Sequence, residues 1–190
     1  MPDRSDAIAL LHEWVENEGL RKHMYAVEAA VRFYAREMGA DEEVWGLAGL
    51  LHDLDWEKNP DVHPMKGVEA LKEGGYPEEV IHAVLAHRPE YTGVEPETDL
   101  DRVLYACDEI SGLVHAACLM RPTGIDDIKP KSVVKKLKDK SFAAGVDREQ
   151  VARGVELIGL ERKEHIQNVI DGMRTAGDVL AIRGEDLQKR

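Results

Sequence analysis

The sequence has few cysteines and few aromatic residues, both of which small proteins often use for stability. Aromatic residues make up 5% of the 190 residues, with only two Phe, and the two cysteines are Cys107 and Cys118. Both lie in one apolar segment that is predicted to be helical, where eleven residues of helical rise would separate them by about 16 Å. Because a disulfide does not span that distance, we predict two buried free thiols within an aliphatic core.

The sequence also lacks a long apolar run. No stretch approaches the ~20 residues that a membrane span needs, and the first twenty residues carry acids and no apolar signal-peptide core. The formal net charge of −12 argues against binding to a nucleic-acid polymer or a membrane surface. A small anionic substrate is not excluded, because a metal and a few local Lys or Arg reverse the local field. We predict a cytoplasmic protein with neither of those partners, and leave its oligomeric state open.

A sustained two-residue alternation is absent as well, whereas nearly every segment has the 3.6-residue period of a helix. We therefore predict an all-α fold in which residues 1–190 form a single-domain helical bundle. The predicted helices cover residues 3–18, 20–38, 41–54, 63–74, 77–87, 98–120, 147–158 and 161–182. Between them, six lysines make residues 125–140 strongly basic: Lys129, Lys131, Lys135, Lys136, Lys138 and Lys140.

The strongest chemical signal is the pair His52-Asp53. It follows the apolar stretch Val44–Leu51, so it lies where a buried helix face ends. A His-Asp pair arises easily by chance, but an imidazole and a carboxylate at a buried position are costly unless something binds them. A divalent metal ion bound by both groups would offset the cost of burying them.

Other titratable residues have both a structural and a functional interpretation. Asp108 is a carboxylate in the middle of an apolar helix, and either a metal or His115 would compensate its charge. His23 lies beside Arg21 and Lys22 and is by itself more typical of a surface histidine. Four further histidines lie in predicted helices. His82 and His87 are five residues apart, so only one is expected to point inward, and His12 and His165 are predicted to lie on the surface.

In order along the chain, His23, His52-Asp53 and Asp108 match the H…HD…D signature of the HD superfamily of metal-dependent phosphohydrolases. The segments His63-Pro64-Met65-Lys66-Gly67 and Val84-Leu85-Ala86-His87 resemble those that supply two further metal-binding histidines in some members. The resemblance covers a core of residues 20–115. With Tyr91-Thr92-Gly93 and residues 140–146, the whole chain is similar to a group of stand-alone predicted HD hydrolases. We expect helices in residues 125–182 to pack on or cover the core.

The resemblance implies a ligand set and a chemistry. One or two divalent ions would be held by His23, His52, Asp53, His63, His87 and Asp108, with Asp53 as the bridge. Imidazole and carboxylate ligands suit Mn, Fe, Zn or Ni better than Ca. Many members continue the HD pair with Ile-Gly-Lys, whereas this chain has Leu54-Asp55-Trp56, so the role of that lysine would fall to Lys58 or Lys66. Asp55, Lys66 and Arg88 join Asp53 as candidate catalytic residues.

The function that follows is hydrolysis of a small phosphate ester, with a nucleotide as the expected class, by metal-activated hydroxide. Two alternatives remain open: a di-iron oxygenase on the same scaffold, and a nucleotide-binding module without turnover. The basic stretch between Lys129 and Lys140 is interpreted either as a solvated helix face or as a lid that attracts anionic substrate.

Overall fold

A computed structural model describes residues 1–189 of the chain. It confirms the all-α prediction, since residues 1–189 contain helices and no strand. The twelve α-helices are α1 (Arg4–Trp14), α2 (Glu18–Met38), α3 (Glu42–Leu51), α4 (Met65–Glu73), α5 (Glu78–Ala86), α6 (Pro89–Thr92), α7 (Asp99–Leu119), α8 (Pro130–Lys138), α9 (Arg148–Ile158), α10 (Arg162–Thr175), α11 (Gly177–Leu180) and α12 (Gly184–Leu187).

Two long helices, α2 and α7, form the centre of the fold, and the shorter α3 packs closely on α2. The α2–α3 approach depends on Gly49, where an added Cβ atom would come within 2.8 Å of the Cα of Glu28. Val44–Leu51 is buried throughout, as the apolar run predicts. Because α3 is fixed along α2, the residues that follow its last turn are held against the middle of the bundle.

The C-terminal helices pack on the same two long helices. Helix α9 lies along α7, and α10 contacts α2, α7 and α8. The α7–α9 crossing is close, because a Cβ atom on Gly154 would be 2.7 Å from the Cα of Ala106. Ala106 is two residues from Asp108, so the position of α9 bears directly on the wall of the candidate site.

His165 on α10 is buried, which contradicts its predicted surface location. Its Nδ1 accepts a hydrogen bond from the hydroxyl of Tyr34 at 2.7 Å, and its Nε2 donates to the carbonyl of Ala106 at 2.9 Å. Burial lowers the pKa of His165 to about 4, so the ring is neutral near pH 7. The surrounding charges in the sequence favoured a surface site, but the partners that satisfy this ring are distant along the chain.

Helix boundaries differ from the predictions where side chains cap the backbone. The first helix ends at Trp14, and Asn17 caps α2 by accepting from the N–H of Leu20. Helix α3 ends at Leu51 and gives way to turns through Lys58, and the predicted segment 161–182 divides at Ala176 into α10 and α11.

The structure confirms the prediction for the thiols. Cys107 and Cys118 are both free and buried, and burial raises the pKa of each. Among residues 1–189, no helix combines the length and apolarity that a bilayer span requires.

The close α7–α9 crossing gives a stability prediction. The Gly154→Ala variant should lose about 1–3 kcal/mol of unfolding free energy, because its Cβ would overlap the backbone of α7. Thermal denaturation followed by circular dichroism should show Tm lowered by several degrees. Gly145→Ala is the control, since its added Cβ meets no atom within 4 Å; equal Tm values for the two variants would contradict the proposed packing constraint.

Candidate metal centre

The predicted ligands come from five places in the fold. His23 lies on α2 and Asp108 on α7, while His52 and Asp53 follow the last turn of α3. His63 precedes α4, and His87 ends α5. Although up to 85 residues separate them in sequence, the packing of α3 and α5 against α2 and α7 brings all six side chains together.

One trio consists of His23, His52 and Asp108, whose ligand atoms all lie within 4.8 Å of one another. The Nε2 of His23 is 3.0 Å from Oδ1 of Asp108, and the Nε2 of His52 is 3.5 Å from the same oxygen. Oδ2 of Asp53 faces this trio, at 3.5 Å from His52 Nε2 and 3.7 Å from His23 Nε2. Two imidazoles and two carboxylates thus converge on one point.

A second trio consists of Asp53, His63 and His87. The other carboxylate oxygen of Asp53, Oδ1, is 3.3 Å from Nε2 of His63 and 3.7 Å from Nε2 of His87. Asp53 therefore presents one oxygen to each side. This is the geometry that a carboxylate needs to bridge two metal ions.

The hydrogen bonds of three buried histidines fix which ring nitrogen faces the centre. His52 donates from Nδ1 to the carbonyl of Gly49 at 2.9 Å, and His87 donates from Nδ1 to the carbonyl of Val84. Both residues terminate a helix, so each ring satisfies a carbonyl that the helix end leaves without a partner. Nε2 is then the atom free to bind a proton or a metal.

His63 has the same arrangement with a carboxylate instead of a carbonyl. Its Nδ1 lies 2.6 Å from Oδ1 of Asp55, and Oδ2 of Asp55 accepts the backbone N–H of Gly67 at 2.9 Å. Asp55 is fully buried. It therefore orients the ring of His63, and it also anchors the first turn of α4. Carboxylates that hold a ligating imidazole in this way are typical of metal sites.

Two features of the donor set fit a divalent cation. The Nε2 of His52 is buried and makes no hydrogen bond, and the Nε2 atoms of His63 and His87 face each other at 3.0 Å. With both Nδ1 atoms acting as donors, two Nε2 lone pairs would oppose each other there. A cation between such atoms removes both costs, and nitrogen and carboxylate ligands suit the first-row transition metals.

The charges of the two carboxylates also favour a bound cation. Burial alone would lower the pKa of His52, but the carboxylates of Asp53 and Asp108 raise it to about 9. Burial alone would raise the pKa of Asp53 and of Asp108, but the facing imidazoles lower both. Burial lowers the pKa of His87. Both carboxylates are thus ionised near pH 7, and without a metal a proton occupies the Nε2 of His52.

The centre opens into a cavity of about 470 Å³. Its walls include His23, Asp53 and Asp108, together with Arg88 and the half-exposed indole of Trp56. The guanidinium of Arg88 lies 5.6 Å from the centroid of the Trp56 ring and pairs with Glu90 at 3.0 Å. Of the predicted catalytic residues outside the trios, Arg88 lines the cavity.

The lysines predicted to replace the missing Ile-Gly-Lys lysine lie elsewhere. Lys66 is exposed and pairs with Glu69 at 2.6 Å, and Lys58 donates to the carbonyl of Glu13 at 3.1 Å. Neither lines the cavity. His82 and His115 also stay outside both trios: His82 faces Asp101 at 3.0 Å, and His115 contacts the carbonyl of Leu180 at 3.4 Å.

Two cavity residues were missed by the sequence analysis. Glu109 lies beside Asp108 and accepts the N–H of Asp147 at 3.0 Å; burial and the charge of Asp108 raise its pKa to about 7. Gln150 on α9 donates to Oδ2 of Asp108 at 3.3 Å. The proximity of Glu109 to Asp108 was a usable signal, whereas nothing in the sequence places Gln150 near the centre.

A family model of the HD domain matches residues 20–113, the segment that contains every one of the six predicted ligands. The chain is an HD-domain protein. It belongs to the superfamily of metal-dependent phosphohydrolases, as the H…HD…D pattern predicts. The match begins at the third residue of α2 and ends within α7.

Several curated relatives carry the name ribonuclease Y. The chain is 31% identical over 99 residues to the one from Oleidesulfovibrio alaskensis, covering 50% of this chain and 18% of that protein. It is 40% identical over 81 residues to the one from Cutibacterium acnes, covering 40% and 14%. It is 29% identical over 135 residues to the one from Nitratidesulfovibrio vulgaris, covering 69% and 24%. The chain thus spans less than a quarter of these relatives' length, and no solved structure matches it.

The relatives' name contradicts the exclusion of nucleic-acid polymers as partners. That exclusion was based on the net charge of −12. Net charge sums over the whole surface, whereas a polymer senses the local field of the face that it touches. The inference from composition was therefore wrong.

The two trios give a stoichiometry prediction. If Asp53 bridges two ions, Asp53→Ala should lose both, while His52→Ala and His63→Ala should each keep about one, because each imidazole serves one trio. Metal content per chain, measured by elemental analysis after reconstitution with Mn²⁺ and dialysis, tests this. Far-UV circular dichroism should show nearly unchanged helix content. Full metal loading of Asp53→Ala would contradict the assignment.

The Asp55–His63 contact gives a second prediction. Asp55→Asn keeps the shape of the side chain but weakens the acceptor that holds Nδ1 of His63. Metal affinity should fall about 10–100-fold, the cost typical of losing such a supporting carboxylate. Calorimetric titration of the metal-free protein measures it. Asp61→Asn, in the exposed turn before His63, is the matched control and should titrate like the unmodified protein.

Proposed function

We propose that this HD-domain protein hydrolyses a nucleotide phosphate ester in RNA at the Asp53 centre. The observation that carries the proposal is the convergence of four imidazole Nε2 atoms and two carboxylates at the base of an open cavity. When bound there, divalent ions lower the pKa of water, which supplies hydroxide near neutral pH, and offset the charge of phosphate oxygens. Mn, Fe, Zn and Ni are the candidates that the ligand set favours.

The surrounding residues provide binding and orientation. Asp53 and Asp55 hold the geometry of the centre, the first by facing both trios and the second by fixing His63. Arg88 places a guanidinium on the cavity wall, where it would meet phosphate oxygens of the substrate. Ligand sites of about 300–1,000 Å³ are common, so a cavity of about 470 Å³ accommodates one nucleotide.

Two observations support a nucleotide in RNA as the carrier of the ester. Several relatives that match this chain are named ribonuclease Y. The indole of Trp56, 41% exposed at the cavity wall, offers a flat aromatic surface on which a base can stack, and such stacking is worth about 1–3 kcal/mol per base.

The test is metal-dependent release of phosphate or nucleotide from short RNAs and from a panel of free nucleotides. Asp53→Ala should reduce turnover of RNA by about 10³-fold, because losing metal catalysis removes several kcal/mol of transition-state stabilisation. Asp61→Ala, an exposed carboxylate outside both trios, should leave the rate unchanged.

Three outcomes would contradict the proposal. Full activity of Asp53→Ala would place the reaction elsewhere. Iron-dependent O₂ consumption without hydrolysis would favour an oxygenase. Binding of nucleotides without turnover, with any of the four candidate metals present, would favour a binding module.

A further inference from the structure

The basic stretch seen in the sequence forms one exposed face of the protein. Helix α8, Pro130–Lys138, presents Lys131, Lys135 and Lys138 at positions i, i+4 and i+7, so the three side chains share a face. All three are exposed, and Lys129 and Lys140 at the two ends are exposed as well. We call these five side chains the lysine face. It is a concentration of positive charge on a chain of net charge −12.

The lysine face has Asp127 as an acidic neighbour, whose pKa is lowered in part by the charge of Lys129. None of its five ammonium groups forms an ion pair within residues 1–189. Asp139, the acid within the run, instead accepts the backbone N–H and the hydroxyl of Ser141. Like charges at i and i+4 destabilise a helix slightly. The face therefore costs some stability, which points to a role outside the fold.

Part of the lysine face continues into a concave site. A cavity of about 240 Å³ is lined by Lys138, Lys140, Arg148 and Arg162 and by no acidic residue. Its remaining walls are the aliphatic side chains of Val134, Leu137, Val151 and Ala152. Four cations around a recess provide a strong local field for an anion.

This recess is joined to the metal cavity by a short loop. Arg148 donates to the carbonyls of Ala143 at 2.8 Å and Val146 at 2.6 Å, which holds the loop in place. Gly145 and Val146 in the same loop line the metal cavity. Because an extended residue spans at most about 3.6 Å, the Cα atoms of Lys140 and Gly145 are no more than ~18 Å apart. A few nucleotides of a strand cover that distance.

We propose that the lysine face and its recess bind the phosphate backbone of single-stranded RNA and lead one end of the strand to the metal cavity. This rests on the proposed function for the substrate but concerns a separate surface. Asp53 lines the metal cavity, and His63 and His87 are buried behind it, so an unpaired strand reaches this centre more easily than a rigid duplex does. The short distance along the loop between recess and cavity favours a strand over a flat anionic membrane.

The test measures binding apart from catalysis. Fluorescence anisotropy of a labelled single-stranded RNA of about 12 nucleotides, in EDTA, reports affinity without hydrolysis. The triple variant Lys131→Gln/Lys135→Gln/Lys138→Gln should bind about 100-fold more weakly near ~0.1 M salt, since each single-strand phosphate contact adds about 0.7 to the salt slope. The slope itself should fall by about 2.

The matched control removes three positive charges elsewhere, by Arg36→Gln/Lys72→Gln/Arg102→Gln on α2, α4 and α7. It should bind RNA within about twofold of the unmodified protein if the effect is local rather than one of net charge. Lys, Arg and Gln have similar helix propensity, and the ion pairs of Arg36 with Glu42 and of Arg102 with Asp99 are exposed and contribute little. Both triple variants should therefore keep nearly the Tm of the unmodified protein, which thermal denaturation checks.

Other outcomes would overturn the proposal. Equal loss of affinity in both triple variants would show a general charge effect. Loss of binding to vesicles of anionic phospholipid, with RNA affinity unchanged, would assign the face to membranes. If the lysine variant binds RNA normally while Asp53→Ala lacks hydrolysis, the surface assignment fails and the proposed function stands. If the lysine variant loses RNA binding but the unmodified protein hydrolyses no RNA with any of the metals, the surface assignment stands and the proposed function fails.

Discussion

The carboxylate of Asp53 is the constraint on which the site depends. One of its oxygens lies 3.5 Å from Nε2 of His52 and the other 3.3 Å from Nε2 of His63. In a buried setting, an ionised carboxylate needs compensating positive charge. Its neighbours offer nitrogen lone pairs, which compensate it only after they bind protons or metal ions. The donor set therefore suits cations, which would offset the charge of this carboxylate.

The fold orients those lone pairs by the same hydrogen-bond arrangement at two histidines. His52 and His87 each end a helix, and each turns its Nδ1–H back to a carbonyl three residues earlier. A helix end always leaves such carbonyls without intrahelical partners. The same bond thus satisfies the backbone and directs Nε2 inward. His63 follows only a single 3₁₀ turn, Pro60–Val62, and there the buried carboxylate of Asp55 takes the place of the carbonyl.

Because these histidines end helices, part of the site could be predicted from the sequence. The His52-Asp53 pair was visible because an apolar run ends there, and His87 because it ends a helix beside a loop. The close glycine contacts at Gly49 and Gly154 could not be predicted, since they depend on which helices cross. Gln150 and His165 were invisible for the same reason: their partners Asp108 and Tyr34 are 42 and 131 residues away.

Charge shows a different limit of prediction from sequence. The net charge of −12 is correct for the whole chain, but the exclusion of nucleic-acid polymers that was based on it was wrong. Within the cavity, Glu90, Glu109 and Asp147 outnumber Arg88, so phosphate binding there would depend on divalent ions that offset the acidic charge. The lysine face, a short loop away, has the opposite field and forms no ion pair within residues 1–189. The separation of the acidic cavity from the lysine face has a physical benefit. The acidic pocket retains cations, while long-range attraction of a polyanion is left to a surface that does not compete for them.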